Sequence, residues 1–358
     1  MKRIVCIIES LSPGGAERQM VYMASELKKA GNDVEVWTYY PNDFYLPILR
    51  ENNVLYKYIP EANNKNKRIF VLRNKLNQTN PDVVIAYLDT ACIVACIIKA
   101  LGGKFKLIVS ERNTTQALTM RERIKFFFYR FADYIVPNSF TQGEFIKKNF
   151  IRLKDKINVI TRYIDTDKFV PCNNPAQDRP LSIIVVGRIM PQKNPIMLMR
   201  AIKMLMNKGI AVNVAWYGTS YDEQYLQSCE RTARDLQIGS SFMFKSPVQN
   251  IAEEYPKYDV FCLPSIYEGF PNVLCEAMCC GLPVVCSNVC DNAIIVQAEE
   301  NGYLFNPKDS TDIADKIEKM ALLSSEQRMQ MGTKNRKRIV DTFSKHAFVN
   351  NYVSLINE

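Results

Sequence analysis

One pattern limits what this chain can fold into. A short apolar run followed by a longer amphipathic segment repeats from the first residues to beyond residue 280. Candidate strands in the first half cover 3–8, 33–39, 55–59, 82–87, 106–110, 134–136 and 157–160, and candidate helices cover 17–30, 68–79, 90–101, 121–132 and 141–149. Apolar runs buried on both faces and alternating with helices indicate a parallel sheet, hence a doubly wound α/β domain. The stretch 170–180 is rich in proline and polar residues and reads as a linker. The pattern then restarts with segments 181–186, 194–207, 212–216, 223–236, 242–244, 260–263, 273–280 and 283–286, and the tail 309–358 reads as helical.

The 358 residues exceed the roughly 250–300 at which one core stops growing, so two domains are expected. The expected layout is 1–170, 171–340 and a C-terminal helix at 341–358 that packs back toward the first domain. Two such sheets joined by a linker would set a cleft between their carboxyl ends, where a ligand touches both halves.

Composition excludes several functions. Apolar residues at 47% and charged residues at 23% are globular values. The longest apolar runs, such as Ile93 to Ile98, fall far short of the ~18 residues of a membrane span. The opening Met1 to Glu9 lacks the apolar region and cleavage site of a signal peptide, so a soluble cytosolic protein is expected. The 11 cysteines are odd in number, none is spaced Cys-x-x-Cys, and His346 is the single histidine. Reduced, structural cysteines and no metal site are therefore expected. Ser-His-Asp and Cys-His catalysis are out of reach unless His346 is the base.

The net charge of +9 belongs to the first half, where residues 1–170 hold 27 Lys and Arg against 17 Asp and Glu. Its basic stretches at 65–75 and 121–130 carry phenylalanine and aliphatic neighbours, which suits an anionic membrane surface. The alternative is a solvated helix face with Phe126 to Phe128 partly in the core. Without an accompanying motif, nucleic acid is not an expected partner.

Four loops carry chemistry. Gly14 and Gly15 follow the first strand and precede a helix, so the backbone can approach an anion there, although two glycines alone also make an ordinary turn. The spacing is not that of a dinucleotide-binding turn. Gly187, Arg188 and Lys193 follow the first strand of the second half, and a fork-shaped donor plus a point charge suits a diphosphate. A surface loop with two solvated bases is the alternative. The most specific loop runs Glu268, Gly269, Phe270, Pro271, Asn272, Val273, Leu274 and on to Glu276. Glu276 stands in an apolar helix and needs a partner, which a pair of sugar hydroxyls would supply. The N–H groups of Asn272, Val273 and Leu274 read as available to a phosphate. The fourth loop is Ser110-Glu111-Arg112-Asn113.

The frame Glu268-Gly269-Phe270-Pro271, Glu276-Ala277-Met278, Gly281-Leu282-Pro283-Val284-Val285, with Gly187-Arg188, Lys193-Asn194-Pro195 and Gly14-Gly15-Ala16-Glu17, resembles the retaining GT-B-fold glycosyltransferases of family 4, also called group 1. The resemblance runs in order from Gly14 to about Pro307. It implies two Rossmann-like domains facing each other across a cleft, the first binding acceptor and the second binding nucleotide sugar. It implies that Glu268 lies by the donor sugar hydroxyls, that Glu276 binds the ribose, and that Arg188 and Lys193 neutralise the departing diphosphate. Arg188, Lys193 and Glu268 are thus the implied catalytic set. Gly14, Gly15, Gly187, Gly269, Phe270, Pro271, Asn272, Val273, Leu274 and Glu276 join them in donor binding.

Ser110-Glu111-Arg112-Asn113 is similar to members that extend lipid-linked or surface oligosaccharides, often with N-acetylhexosamines. That implies acceptor binding by Glu111, Arg112 and Asn113, with a Glu111–Arg112 pair supporting the loop as the alternative. Two departures stand out: no histidine near Ser110, and Arg162-Tyr163 where relatives commonly have Asn-Gly or Asn-Pro. The resemblance further implies a metal-independent reaction with no cofactor, a UDP-sugar as donor, and polysaccharide, lipopolysaccharide or capsule synthesis. The acceptor would be lipid-linked or an oligosaccharide, met at the inner face of the plasma membrane through the basic first domain. A nucleotide-sugar epimerase of similar architecture and a silent glycan-assembly subunit are the alternatives.

Overall fold

A computed structural model of the chain describes residues 1–112, 115, 117–171 and 180–358. Asn113 and most of the proline-rich stretch, 172–179, lie outside the described residues. The chain forms two compact units, Met1–Arg162 with Phe348–Glu358, and Tyr163–Ala347.

In the first unit the elements run β1 (Arg3–Ile7), α1 (Gly15–Lys29), β2 (Asp33–Thr38), α2 (Leu46–Glu51), β3 (Leu55–Tyr58), α3 (Arg68–Thr79), β4 (Val83–Tyr87), α4 (Asp89–Ala100), β5 (Lys106–Glu111), α5 (Met120–Tyr129), β6 (Tyr134–Pro137) and α6 (Phe140–Asn149). Six parallel strands are ordered β3-β2-β1-β4-β5-β6, with Ile4 of β1 opposite both Val34 and Val83. Branched apolar side chains such as Val5, Val84, Ile85 and Leu107 fill both faces, so the central strands show no polar alternation.

The second unit repeats this plan with β7 (Leu181–Val186), α7 (Pro195–Asn207), β8 (Val212–Tyr217), α8 (Glu223–Asp235), β9 (Phe242–Lys245), β10 (Val260–Leu263), α9 (Asn272–Cys279), β11 (Val284–Ser287), α10 (Asn292–Ile295), β12 (Gly302–Phe305), α11 (Ser310–Leu322), α12 (Ser325–Phe343) and α13 (Lys345–Asn357), the last closing onto the first unit from Phe348. Its parallel order, β12-β11-β10-β7-β8-β9, is that of the first unit read from the opposite edge. In both sheets the winding reverses beside the first strand, between β1 and β4 and between β7 and β10. Open α/β sheets hold ligands outside the carboxyl ends of such strand pairs.

Four elements differ from the sequence expectation, the six-residue α2 among them. Segment 157–160 is not a strand, because Ile157 makes a lone bridge to Ile135, with only Asn158 and Ile160 N–H bonds beyond it. The short β12, headed by Gly302 and only partly buried, carries too weak a pattern to read. The same holds for the four-residue α10. The chain enters the second unit before the proline-rich stretch. Ile164 N–H bonds the Phe343 carbonyl at 2.8 Å, and Arg336 donates to the carbonyls of Thr166 and Phe169.

The C-terminal segment belongs to the first unit. Phe348, Tyr352, Leu355 and Ile356 are buried, and Lys106 Nζ donates to the carbonyls of Leu355 and Ile356 at 3.1 and 3.2 Å. All ten described cysteines are free thiols and nine are buried. Burial pushes the Cys6 thiol up to about 12, so it stays protonated and unreactive. Among the described residues, no helix is long and apolar enough to cross a membrane.

Candidate active site

The loop after β7 and the loop after β10 meet at the second switch point. Lys193 and Glu268 form an ion pair across them, Nζ to Oε1 2.5 Å, with side chains only 14% and 10% exposed. Such a partly dry pair is stronger than a surface one, because water competes poorly for either charge. Several bonds hold the two loops in register. Ile266 N–H bonds the Gln192 carbonyl and Gln192 Nε2 donates to the Tyr267 carbonyl, both at 2.8 Å. Asn194, in the left-handed region at φ 63°, is buried and sends its amide to the carbonyls of Pro264 at 3.1 Å and Pro307 at 2.7 Å. One side chain thereby ties three loops together. The aliphatic part of Lys193 packs over Gly187, whose carbonyl accepts from the Trp216 indole at 2.8 Å. Gly218 is also required: a Cβ there would lie 1.9 Å from the Gly187 carbonyl oxygen.

Arg188 is exposed at the mouth of this loop and has no side-chain bond among the described residues. Glu276 lies on α9 and accepts from the buried Tyr255 hydroxyl at 3.2 Å. Burial, then the Glu276 charge, pushes the Tyr255 pKa well above its ordinary value, so the phenol remains a donor. Gly269, Phe270 and Pro271 form the turn into α9, with Phe270 buried against Phe343. The start of α9 offers less than the sequence implied. Asn272 N–H bonds the Phe270 carbonyl and Leu274 N–H bonds the Pro271 carbonyl. Among the three, only the Val273 N–H has no bond to a described residue. Pro271 turns the chain so tightly that the helix satisfies its own first donors. Near this framework a cavity of about 570 Å³ is lined by Ile266, Asn288, Asn306, Lys308 and Lys316. Its volume is within the roughly 300–1,000 Å³ of ligand sites.

At the first switch point, Gly14 precedes α1 with no side-chain cap. The Glu17 carboxylate folds over Gly14 and the Arg162 guanidinium lies against Gly15, so a Cβ on either glycine would displace the end of that side chain.

Glu111 and Arg112 do not pair with each other as the supporting alternative supposed. Glu111, fully buried at the end of β5, pairs with Lys125 of α5 at 2.8 Å, and Lys125 also lies 3.5 Å from Asp89. Burial acts to lower the Lys125 pKa, but the Glu111 and Asp89 carboxylates outweigh it and hold the value above the ordinary one. Arg112 stacks over the Tyr87 ring at 4.6 Å and donates to Gln19 Oε1 at 2.8 Å, Tyr87 Oη at 2.9 Å and Tyr352 Oη at 3.0 Å. Sequence reasoning assigned no role to Gln19, Tyr87, Lys125, Asn194, Tyr255 and Tyr352, because each works through partners on other elements. Asp165-Thr166-Asp167 is an Asp-x-Asp string by composition, but Asp165 Oδ1 caps the N–H groups of Asp167 and Lys168 in a turn. Among the described residues no three His, Cys, Asp or Glu side chains come together as a metal site.

Paired doubly wound halves of this kind make up the GT-B architecture, and solved structures agree. A glycosyltransferase from Rickettsia africae superposes with a TM-score of 0.82 at 16% identity, covering 99% of this chain and 97% of that one. HepE from Anabaena in complex with UDP superposes at 0.80 and 17% identity, covering 99% of each. The family profile described as Glycosyltransferase Family 4 matches residues 13–168, and that described as Glycosyl transferases group 1 matches residues 169–338. The chain therefore belongs to the family 4, group 1 glycosyltransferases. Among curated relatives, a GalNAc-α-(1→4)-GalNAc-α-(1→3)-diNAcBac-PP-undecaprenol α-1,4-N-acetyl-D-galactosaminyltransferase of Campylobacter jejuni is 27% identical over 89% of this chain and 88% of its own length. A UDP-Gal:α-D-GlcNAc-diphosphoundecaprenol α-1,3-galactosyltransferase of Escherichia coli is 24% identical over 84% and 80%.

Proposed function

We propose that this glycosyltransferase moves a hexose or N-acetylhexosamine from a UDP-sugar to a lipid-linked glycan, with retention of configuration and without a metal, in the synthesis of a bacterial surface polysaccharide. The observation that carries the proposal is the Lys193–Glu268 pair, held by the Gln192 and Asn194 staples in one framework with the start of α9. Lys193 keeps ammonium donors beyond the one engaged by Glu268, and Arg188 extends from the same loop. Together they neutralise charge as the diphosphate departs, where fixed cations act most strongly. Glu268 lies by the sugar hydroxyls, and Glu276, backed by Tyr255, takes the ribose hydroxyls. The departing phosphate stays on the same face of an oxocarbenium-like sugar and accepts the proton of the acceptor hydroxyl. No carboxylate nucleophile is assigned, unlike the paired-carboxylate route to retention.

UDP and the lipid-linked acceptor draw support from the relatives, two of which are named for undecaprenol-linked glycans, and from HepE, which binds UDP. Glu111 and Arg112 act on the acceptor side by fixing the carboxyl end of β5. For the membrane, α5 presents Met120, Ile124 and Phe127 at 71%, 51% and 52% exposure, spaced as one helical stripe beside Arg121, Arg123 and Arg130. Phe126 is buried and Phe128 packs against the core, as in the alternative reading, while Phe127 does not join the core. A stripe of this kind inserts into the headgroup region of an anionic bilayer.

The test is a screen of UDP-sugars with polyprenyl-diphosphate-linked glycans, scored for an α-linked product. Conversion of the donor to its epimer without acceptor would instead make the protein an epimerase. Glu276→Ala should weaken UDP binding about 10- to 100-fold, the scale of losing hydrogen bonds to a charged group. Unchanged affinity would sink the site. Flotation with anionic vesicles but not neutral ones is expected, and indifference to lipid charge counts against the membrane role.

A further inference from the structure

Two arginines beside the Gly14–Gly15 loop have no part in the proposal so far. Arg162, partly buried, places its Nη2 where a Cβ on Gly15 would lie only 2.7 Å away. Its segment is anchored. Buried Gln19 donates to the Thr161 carbonyl at 3.4 Å while accepting from Arg112 at 2.8 Å, and the Thr161 hydroxyl donates to the Arg162 carbonyl at 3.3 Å. Arg18, exposed on the first turn of α1, and Arg112 are the cations whose charge reaches Arg162. Arg112 is already engaged by Gln19, Tyr87 and Tyr352. Neither Arg162 nor Arg18 has a side-chain hydrogen bond or ion pair among the described residues.

This arrangement is costly without an anion. Burial first, then repulsion from Arg112 and Arg18, pulls the Arg162 pKa below its ordinary value. A solvated surface accounts for exposed Arg18. It does not account for Arg162, which gives up much of its water without gaining a counter-ion. A guanidinium fork held over a glycine backbone matches the geometry of a phosphate oxyanion. Glu17 folds over Gly14 and forms no ion pair with Arg162.

We propose that Arg162, assisted by Arg18, receives a phosphate or diphosphate oxyanion over Gly15, and that this position therefore helps select phosphate-bearing substrates. The inference rests on the transferase function proposed above. The oxyanion belongs either to the donor or to the acceptor, and the two sources are separable by experiment.

The test is calorimetric titration of UDP, inorganic pyrophosphate and farnesyl diphosphate into the wild type, Arg162→Gln, Arg162→Lys, Gly15→Ala and Glu17→Gln. Arg162→Gln should weaken at least one diphosphate about tenfold or more, as expected for a lost charged hydrogen bond. Arg162→Lys should restore part of that affinity, and Glu17→Gln should tighten it by removing a repelling charge. Gly15→Ala keeps the charge but displaces the guanidinium, so it should weaken binding even where Arg162→Gln is too unstable to measure. Loss with UDP assigns the donor; loss with farnesyl diphosphate while UDP binds normally assigns the acceptor. Unchanged affinities for all three probes in Arg162→Gln and Gly15→Ala overturn the inference. A wild type that binds farnesyl diphosphate through Arg162 but no UDP would leave the inference standing and remove the nucleotide-sugar proposal.

Discussion

The two switch points share one topology and treat charge in opposite ways. After β7, the cation Lys193 is matched by Glu268 and the loops are cross-tied by Gln192 and Asn194. Beside the loop after β1, Arg162 and Arg18 form no ion pair among the described residues, and the fixed parts of the unit are the buried Glu111–Lys125 pair and the Arg112–tyrosine network. The same winding can thus build a neutralised, pre-formed loop framework or a basic loop kept open for an anion. What differs is which side chains the loops carry, since the strands beneath them are equally apolar.

Breaking the fixed pair of the first unit should have the largest effect. Lys125→Met leaves the Glu111 carboxylate buried without its lysine, a loss of about 3–5 kcal/mol measurable by denaturant unfolding. The pH dependence has a definite sign. Lys125 has a raised pKa in the folded state, so its contribution is complete below the unfolded lysine value of about 10.4 and fades as pH rises through the folded value. The variant should therefore lose the alkaline part of the unfolding profile, and a profile identical to the wild type would break the assignment.

Arg188→Ala probes the second switch point. Turnover should fall about 10²–10³-fold with little change in stability, because the side chain is exposed and makes no bond that folding needs. Wild-type turnover would show that the framework works through Lys193 alone. Asn194→Ala sharpens the contrast from the structural side: two buried carbonyls, on Pro264 and Pro307, lose their donor. The expected cost is about 1–3 kcal/mol, read as a lowered melting temperature. The smallest effect belongs to Tyr352→Phe, which removes one hydroxyl shared with Tyr87 and Arg112 and should cost about 1 kcal/mol.

These cases also mark where the sequence is legible. Helix α3 and strands β7 and β10 lie where periodicity puts them, since their apolar residues are continuous or regularly spaced. Lys193 and Glu268, which the structure brings together, stand with Glu276 in dense local motifs that the sequence makes visible. Their partners are not visible in this way. Lys193 and Glu268 are 75 residues apart, and Arg112 and Tyr352 are 240 apart. Nothing in local spacing indicates such pairs. The start of α9 was misread for a different reason: spacing locates a helix terminus, but it does not tell which N–H groups the preceding proline turn consumes.

The seating of the C-terminal segment has a kinetic consequence. Tyr87 and Tyr352 are separated by 265 positions, and a whole α/β unit is threaded between them. During synthesis the sheet of the first unit can collapse early, yet Arg112 and Lys106 wait for partners that follow the whole second unit in the chain. The second unit, continuous in sequence, can finish its fold before that closure. Completion of the first unit thus follows synthesis of the whole second unit, and shortening the chain after Ala347 would leave the first unit without that segment.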